Sequence, residues 1–330
     1  MARVGVLGSV QLDVVYSLPP GRSLPEPGET VPALSHAFLP GGKGANQAIS
    51  AAISGDTSTS IAFAGCVGSD AFASESALSG LRSTNVQLDA LDFSNSAPTG
   101  LASITVDAYG QNAIVVSPGA NAYIDARAQL PLLKLDRDDL LVTQLEVPAE
   151  QTEEALRAAK LTQGCRTMLN AAPAPSTELP VLREGVLDYL LLNESEAAMI
   201  ADVHGLKRNL GSEDYALELA QTFGCTTVIS LGASGALVAS GTMRRVKNRE
   251  HMRASVPVLP YDRTIVDTTG AGDAFVGAFA ASVAAGNPLG SSVQQAVAAG
   301  TLACCVSGAQ SPPKTSEVQE LESYVGVYYI

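Results

Sequence analysis

Short apolar runs alternate with longer helical stretches through most of this chain, and that alternation restricts the fold more than any other feature. Strands are expected at 4–7, 60–64, 140–143, 167–169, 187–191 and 227–230, and helices at 44–54, 150–161, 194–203, 212–223, 271–285 and 291–306. A strand, a helix and a second strand in succession imply a crossover connection. Repeated, that unit gives a central, mainly parallel sheet with helices on both faces, a three-layer α/β fold. With 330 residues, 46% of them apolar, the chain can fill one large core, and residues 1–330 are read as a single domain.

Two stretches break the rhythm. Residues 14–40 hold Pro19, Pro20, Pro25, Pro27, Pro32 and Pro40. Residues 98–117 alternate through Leu101, Ser103, Ile104 and Val106, then resume at Ala113, Ile114, Val115 and Val116 after a Tyr109-Gly110 turn, which is a hairpin signal. The proline-rich piece alone is equally a surface loop. The hairpin favours reading the two pieces, about 14–40 and 98–117, as one small β-lid inserted in the α/β body.

Charge and composition remove several function classes. A net charge of −13 argues against nucleic acid or an anionic membrane surface as partner, since both require a basic footprint. The first residues read as a strand rather than a signal peptide, and no apolar run is long and clean enough to span a bilayer. Cys66, Cys165, Cys225, Cys304 and Cys305 are an odd number without metal-ligand spacing. They read as buried reduced thiols of a cytoplasmic protein, the adjacent Cys304 and Cys305 included. His36, His204 and His251 lack partner spacing and read as surface or loop residues.

The chemistry concentrates in residues 267–280. There Gly270, Ala271 and Gly272 form a small-residue turn that opens an apolar helix, with Asp273 in its first turn. Amides at a helix start are unpaired and collect anions. A carboxylate in the same place can take a proton from an alcohol, so the stretch offers an anion hole beside a base, as phosphoryl transfer to a hydroxyl requires. An isolated Asp there would ordinarily only complement the helix dipole. The bare triplet before it has no capping purpose, which favours catalysis. A second motif, Gly41-Gly42-Lys43-Gly44-Ala45-Asn46-Gln47, combines close backbone approach with side-chain donors. It lacks the spacing of a Walker loop, and no dinucleotide fingerprint follows the first strand. Taken alone it is equally a helix-entry turn with a solvated lysine.

The two motifs in this order resemble the ribokinase-like (PfkB) carbohydrate kinase family, over essentially the whole chain. Residues 8–13 look like that family's first sugar-contact turn, 27–30 like the start of its lid, 144–146 like a strand end bearing a sugar-binding glutamate, 193–196 like its N-x-x-E motif, 230–235 like its nucleotide-phosphate turn and 308–310 like its C-terminal cation loop. The resemblance implies ATP-dependent phosphorylation of D-ribose at the 5-hydroxyl. Asp273 would be the general base, with the amides of Gly270, Ala271 and Gly272 at the transferring phosphoryl group. Gln11, Leu12, Asp13, Gly41, Gly42, Lys43, Gly44, Ala45, Asn46 and Glu146 would surround the sugar. Ser230, Leu231, Gly232, Ala233, Ser234, Gly235 and Val297, with Asn193, Gly272 and Asp273, would contact ATP. Asn193 and Glu196 would organise Mg²⁺ through water. Asp267 and Thr269 on one side, and Ala303, Val306, Gly308 and Pro312 on the other, would hold K⁺. Lid-to-lid contact would give a homodimer.

Two positions depart from the family pattern. Gln11 stands where Asn is usual, and its extra methylene is expected to crowd the sugar. Pro312 stands near a common serine and offers only its carbonyl. Fructose, another pentose or a nucleoside remain alternative acceptors, the last because Phe38 and Tyr109 could stack a base. A catalytically silent sugar sensor is the alternative from another class, although such a protein would have little need of Asp273 and its glycine turn.

Overall fold

The computed structural model describes residues 2–55, 59–241, 251–260, 263–310 and 312–330. The chain enters through β1 (Arg3–Leu7), then forms β2 (Gln11–Ser17) and β3 (Ser35–Gly41) before α1 (Lys43–Ser54). Next come β4 (Ser60–Gly68), α2 (Ala71–Arg82), β5 (Gln87–Ser94), β6 (Gly100–Val106) and β7 (Asn112–Ser117). The middle of the chain runs α3 (Ala126–Gln129), β8 (Leu140–Thr143), α4 (Ala149–Ala158), β9 (Arg166–Asn170), β10 (Tyr189–Asn193), α5 (Glu194–Val203) and α6 (Ser212–Phe223). It closes with β11 (Thr226–Ser230), β12 (Ala236–Ser240), β13 (His251–Ala254), α7 (Ala271–Ala284), α8 (Leu289–Ala303), α9 (Thr315–Glu322) and β14 (Val327–Tyr329).

Among the described residues, ten strands form one sheet in the order β14-β13-β12-β11-β10-β9-β8-β1-β4-β5. The seven from β11 to β5 pair in parallel, as the alternation required, and the three at the β14 end are antiparallel. The period-2 rule sorts the side chains by face. Leu191 and Val228 join the apolar cluster shared with α1, α7, α8 and α9. Their neighbours Leu190, Leu192 and Ile229 join the cluster on α4, α5 and α6. Both faces are covered, which is why the central strands read as continuous apolar runs.

The second sheet has the order β3-β2-β6-β7, with β2 antiparallel to β3, parallel to β6, and β6 antiparallel to β7. The β6–β7 turn is fastened by Asp107, whose Oδ1 accepts from the amides of Tyr109 and Gln111. This sheet reaches further than the sequence reading, because β2 starts at Gln11 rather than near residue 14. Gln11, Leu12 and Asp13 therefore lie on a strand of the small sheet itself. Between Ser17 and Ser35 the chain has no strand or helix, as six prolines within 14–40 would dictate.

Helix ends shifted by a few residues. The helix expected at 291–306 spans Leu289–Ala303, and the one expected to reach 161 ends its α-helical part at Ala158 before a π-helical turn over Ala159–Gln163. Two chemical expectations need correction. His204 is buried, and its Nε2 accepts from the Leu179 amide, so it belongs to the core and not to a surface loop. Cys304 and Cys305 are half-buried at the end of α8, unlike the fully buried Cys66, Cys165 and Cys225; all five are free thiols.

Candidate active site

The two glycine turns arrive side by side because α1 and α7 pack against each other, with Ser50 Oγ donating to the Ala274 carbonyl at 2.9 Å. Each turn needs glycine for a specific reason. Gly42 has φ +95°, and a Cβ there would lie 2.8 Å from Val10 Cα. Gly270 has φ +76°, and a Cβ would lie 2.6 Å from Ala309 Cα. Left-handed backbone against neighbouring backbone excludes other residues at both.

The amides beyond these turns meet different fates. At α1 the Lys43 amide donates to Glu146 Oε2 (2.9 Å), the Gly44 amide to Ser9 Oγ (3.3 Å) and the Ala45 amide to the Ser9 carbonyl (2.9 Å). The protein itself closes that helix end. At α7 the Ala271 amide reaches back to the Thr268 carbonyl at 3.2 Å, so one amide of the expected anion hole is already engaged. The amides of Gly272 and Asp273 have no protein acceptor among the described residues, as helix geometry leaves them.

Asp273 is buried, 7% exposed, beside those amides. Its Oδ2 accepts from Asn46 Nδ2 at 2.9 Å and its Oδ1 from Gln47 Nε2 at 2.9 Å. Asn46, expected to face the sugar, thus also grips the carboxylate, and its own Oδ1 accepts from Gln310 Nε2 at 3.0 Å. Gln47, Gln144 and Gln310 had no role assigned from sequence. They lie far from Asp273 in the chain, and their spacing to it carries no signal.

Lys43 lies among Asp273, Glu146 and Glu196. The nearby Asp273 charge, then those of Glu146 and Glu196, outweigh burial and hold its ammonium firmly protonated. Glu146 Oε2 also accepts from Ser9 Oγ at 2.6 Å. Burial pushes the Asp13 carboxyl up to about 6, with Gln11 opposing the shift and the charges of Glu146 and Asp273 adding to it. Gln11 does not merely crowd the site as expected. Its side chain turns back and donates to Asp13 Oδ1 at 3.0 Å. The turn before β2 is pinned by the buried Asn121, whose amide group bonds both the N–H and the C=O of Val10 at 3.0 Å.

A cavity of about 100 Å³ lies beside Lys43, Glu196 and Asp273, with Asn170, Asn193, Ser230 and Gly272 also in its lining. Asn193 and Glu196 form a capping box on α5, each side chain bonded to the other's backbone amide at 2.8 Å. They therefore fill the ordinary capping role and line the cavity as well. Burial raises the Glu196 carboxyl, against the pull of the Asn193 amide and Lys43.

Gly272 also borders a larger apolar cavity of about 560 Å³. Ser230, Gly232, Ala233 and Gly235 form one edge, and Val297 lies on the wall, as the sequence implied. The sequence did not indicate Val256, Pro257, Leu259, Phe275 and Cys304, which complete the wall. Leu231 and Ser234 shape the turn: the Leu231 amide donates to the Gly235 carbonyl and the Ser234 amide to Leu231.

The loops expected to hold a monovalent cation do meet. Asp267 Oδ1 accepts from the Thr269 amide at 2.9 Å and its Oδ2 from the Gly308 amide at 3.0 Å. Burial would raise the Asp267 carboxyl, but the Thr269 hydroxyl and the amides of Gly308 and Thr269 together hold it below its usual range. The Ala303 carbonyl accepts from the Val306 amide, and Pro312 is half-buried nearby in the chain. Among the described residues, no cluster of three or more His, Cys, Asp or Glu side chains has metal-binding geometry.

Residues 1–316 match the model of the pfkB family carbohydrate kinases. The ribokinase of Schizosaccharomyces pombe is 34% identical over 319 residues, covering 94% of each chain. Among solved structures, Thermotoga maritima ribokinase superposes with a TM-score of 0.81 at 29% identity, over 98% of this chain and 100% of that one. Arabidopsis thaliana ribokinase, solved with ribose and ATP, gives 0.76 at 26% identity, with the same coverages. With its glycine turns, its buried carboxylate and near full-length similarity to these enzymes, the chain belongs to the pfkB family of carbohydrate kinases.

Proposed function

We propose that this protein transfers the γ-phosphoryl group of ATP to the 5-hydroxyl of D-ribose. One observation carries the reading. A buried carboxylate and two unclaimed helix-start amides stand where a small polar cavity meets a larger apolar one. The apolar cavity suits a purine base, and the polar one a phosphate chain. Gly272 borders both, which is where a phosphoryl group in transit would sit. Ribose as acceptor rests on the relatives named above.

In this reading Asp273 draws the proton from the 5-hydroxyl as the oxygen attacks, a role typically worth about 10²–10⁴-fold in rate. The Gly272 and Asp273 amides, and Lys43, stabilise charge that builds on the phosphoryl oxygens. Asp13, Gly42, Asn46 and Glu146 hold the sugar hydroxyls, with Gln11 acting through Asp13. Asn193 and Glu196 are oxygen donors at the phosphate end, and Mg²⁺ held through water would neutralise phosphate charge there. K⁺ would sit among Asp267 and the carbonyls of Thr269, Ala303, Val306, Gly308 and Pro312. Asp267 already joins the two loops, and an all-oxygen set fits a large monovalent cation.

The small sheet is read as a lid over the acceptor side of a single catalytic domain. Its edge strand β7 is exposed along its whole length and carries Ile114, Val115 and Val116. Such an edge is normally covered, so we place a homodimer contact on it. Sedimentation of the protein at micromolar concentration should show a dimer. No described helix is long and apolar enough to cross a membrane. With five free thiols, a cytoplasmic location is proposed. Of the two aromatic residues that could stack a nucleoside base, Phe38 already packs edge-on against His36 and Phe72. An ADP-release assay with ATP, Mg²⁺ and K⁺ should rank D-ribose above fructose, deoxyribose and adenosine. Preference for adenosine, or no turnover with any of them, would overturn the proposal.

A further inference from the structure

We propose that Gln47 is a positioning residue whose amide locks the Asp273 carboxylate in the orientation that phosphoryl transfer needs. The inference rests on the sugar-kinase reading and adds to it a residue that acts through the base. Gln47 is fully buried, and its amide is fully committed. The two hydrogens of Nε2 go to Asp273 Oδ1 (2.9 Å) and Asn170 Oδ1 (3.0 Å), while Oε1 accepts from Gln144 Nε2 at 2.6 Å.

The direction of this chain is dictated from both ends. An ionised carboxylate only accepts, so the nitrogen of Gln47 must face Asp273. The Leu191 carbonyl only accepts as well, so Asn170 presents Nδ2 to it at 3.2 Å and turns its oxygen toward Gln47. The two constraints agree, and they leave Gln144 Nε2 as the donor to Gln47 Oε1. Rotating Gln47 would break three bonds among side chains that are at most 7% exposed, where unpaired polar atoms are costly.

The neighbouring residue completes the grip. Asn46 holds the other oxygen, Asp273 Oδ2, and is itself oriented by Gln310. Two successive residues of α1 therefore fix both oxygens of a carboxylate on α7. A base at a helix start, bonded at one oxygen only, could swing about its side-chain torsions. Bonded at both, it keeps one aim toward the acceptor hydroxyl. Lys43, Asp13 and Glu196 all feel the Asp273 charge, and they are retained in the variants below.

The test compares Gln47→Met and Gln144→Leu with the wild-type chain in ribose phosphorylation. Melting temperature and circular dichroism monitor the fold. Gln47→Met should lower kcat by about 10- to 100-fold and leave the ribose KM within about threefold. Gln144→Leu keeps the Gln47 contact but releases its orientation, so a smaller loss in the same direction is expected. A role in packing alone would lower the melting temperature and leave kcat of the folded enzyme unchanged. A folded Gln47→Met enzyme with wild-type kcat would overturn the assignment. Should that variant not fold, unchanged kcat in Gln144→Leu would overturn it instead. A wild-type chain inert toward every sugar would instead overturn the kinase reading, and this assignment with it, before any variant is compared.

Discussion

Helices α1 and α7 both begin at a glycine turn with positive φ, and both ends face the same cleft, yet one is sealed and the other open. At α1 the first three amides are taken by Glu146 and by Ser9, through its hydroxyl and its carbonyl. At α7, among the described residues, the Ala271 amide finds an acceptor and those of Gly272 and Asp273 do not; both of these residues line the small cavity. A glycine-rich helix start is therefore not by itself an anion site. What counts is whether the rest of the fold has already supplied the acceptors. The sealed end presents side chains (Lys43, Asn46, Gln47), and the open end presents backbone.

The contrast can be broken most directly at Asp273. Asp273→Asn should lower kcat by about 10²–10⁴-fold while ribose still binds, because shape is kept and only the base is lost. Near-normal turnover in steady-state assays would assign the chemistry elsewhere.

The next largest effect separates the two helix ends by a matched pair of glycine substitutions. A Cβ on Gly44 would lie 2.6 Å from the Gly8 carbonyl carbon and 2.7 Å from the Ser9 amide nitrogen, whereas a Cβ on Gly272 meets nothing within 4 Å. Gly44→Ala should therefore destabilise the fold by about 1–3 kcal/mol through overpacking. Gly272→Ala should leave the melting temperature unchanged or higher, since alanine suits a helix better by about 0.5–1 kcal/mol. It should nonetheless cut kcat/KM for ATP, because the new methyl group occupies the cavity wall. Loss of stability in Gly272→Ala with intact activity would invert the comparison.

A smaller effect concerns the acids gathered at the sealed end. The Asp13 carboxyl sits at about 6, above its ordinary 3.8, chiefly through burial. Between those values the folded protein binds more protons than the unfolded chain, so Asp13 makes stability fall as pH rises through roughly 4 to 6. Asp13→Asn should remove that slope and gain about 1–2 kcal/mol at pH 7.5, allowing for the partial exposure of the group. Its ribose binding should weaken at the same time. In the wild type, ribose affinity should increase as pH rises through about 6, measured by calorimetry at pH 5 and 7.5. Equal affinity at the two pH values would remove Asp13 as an ionised sugar ligand.

The smallest expected change tests the backbone behind the open end. Replacing K⁺ by Na⁺ should lower kcat without altering the ribose KM, because the ion would steady the loops joined by Asp267 and not touch substrate. Indifference to the cation in a kinetic titration would discard that site.

Much of this arrangement was legible in advance. The α5 and α6 helices fall at the residues expected, because caps and apolar periodicity are local properties. The glycine turns announced themselves through composition, and Asp273 through its place in the first turn. Gln47 did not, although it neighbours Asn46 in a motif already singled out. Its partners Gln144 and Asp273 are 97 and 226 residues away in sequence. The wall of the apolar cavity was hidden for the same reason. Val256, Phe275 and Cys304 come from separate elements, and an apolar residue that lines a cavity is spelled like one that fills a core.

The sequence by itself determined the parallel α/β body, the hairpin of the small sheet, the two glycine turns and the membership of a kinase family. The first three follow from periodicity and turn chemistry within a few residues, and the last from the resemblance of the motifs to a known family. Only the tertiary structure decided which helix end stays open, that Gln11 bends onto Asp13, and that α1 clamps both oxygens of Asp273. Hydrogen-bond partners across a folded sheet are chosen by strand order and helix packing. A buried amide bonds whatever polar atom that packing brings within about 3 Å.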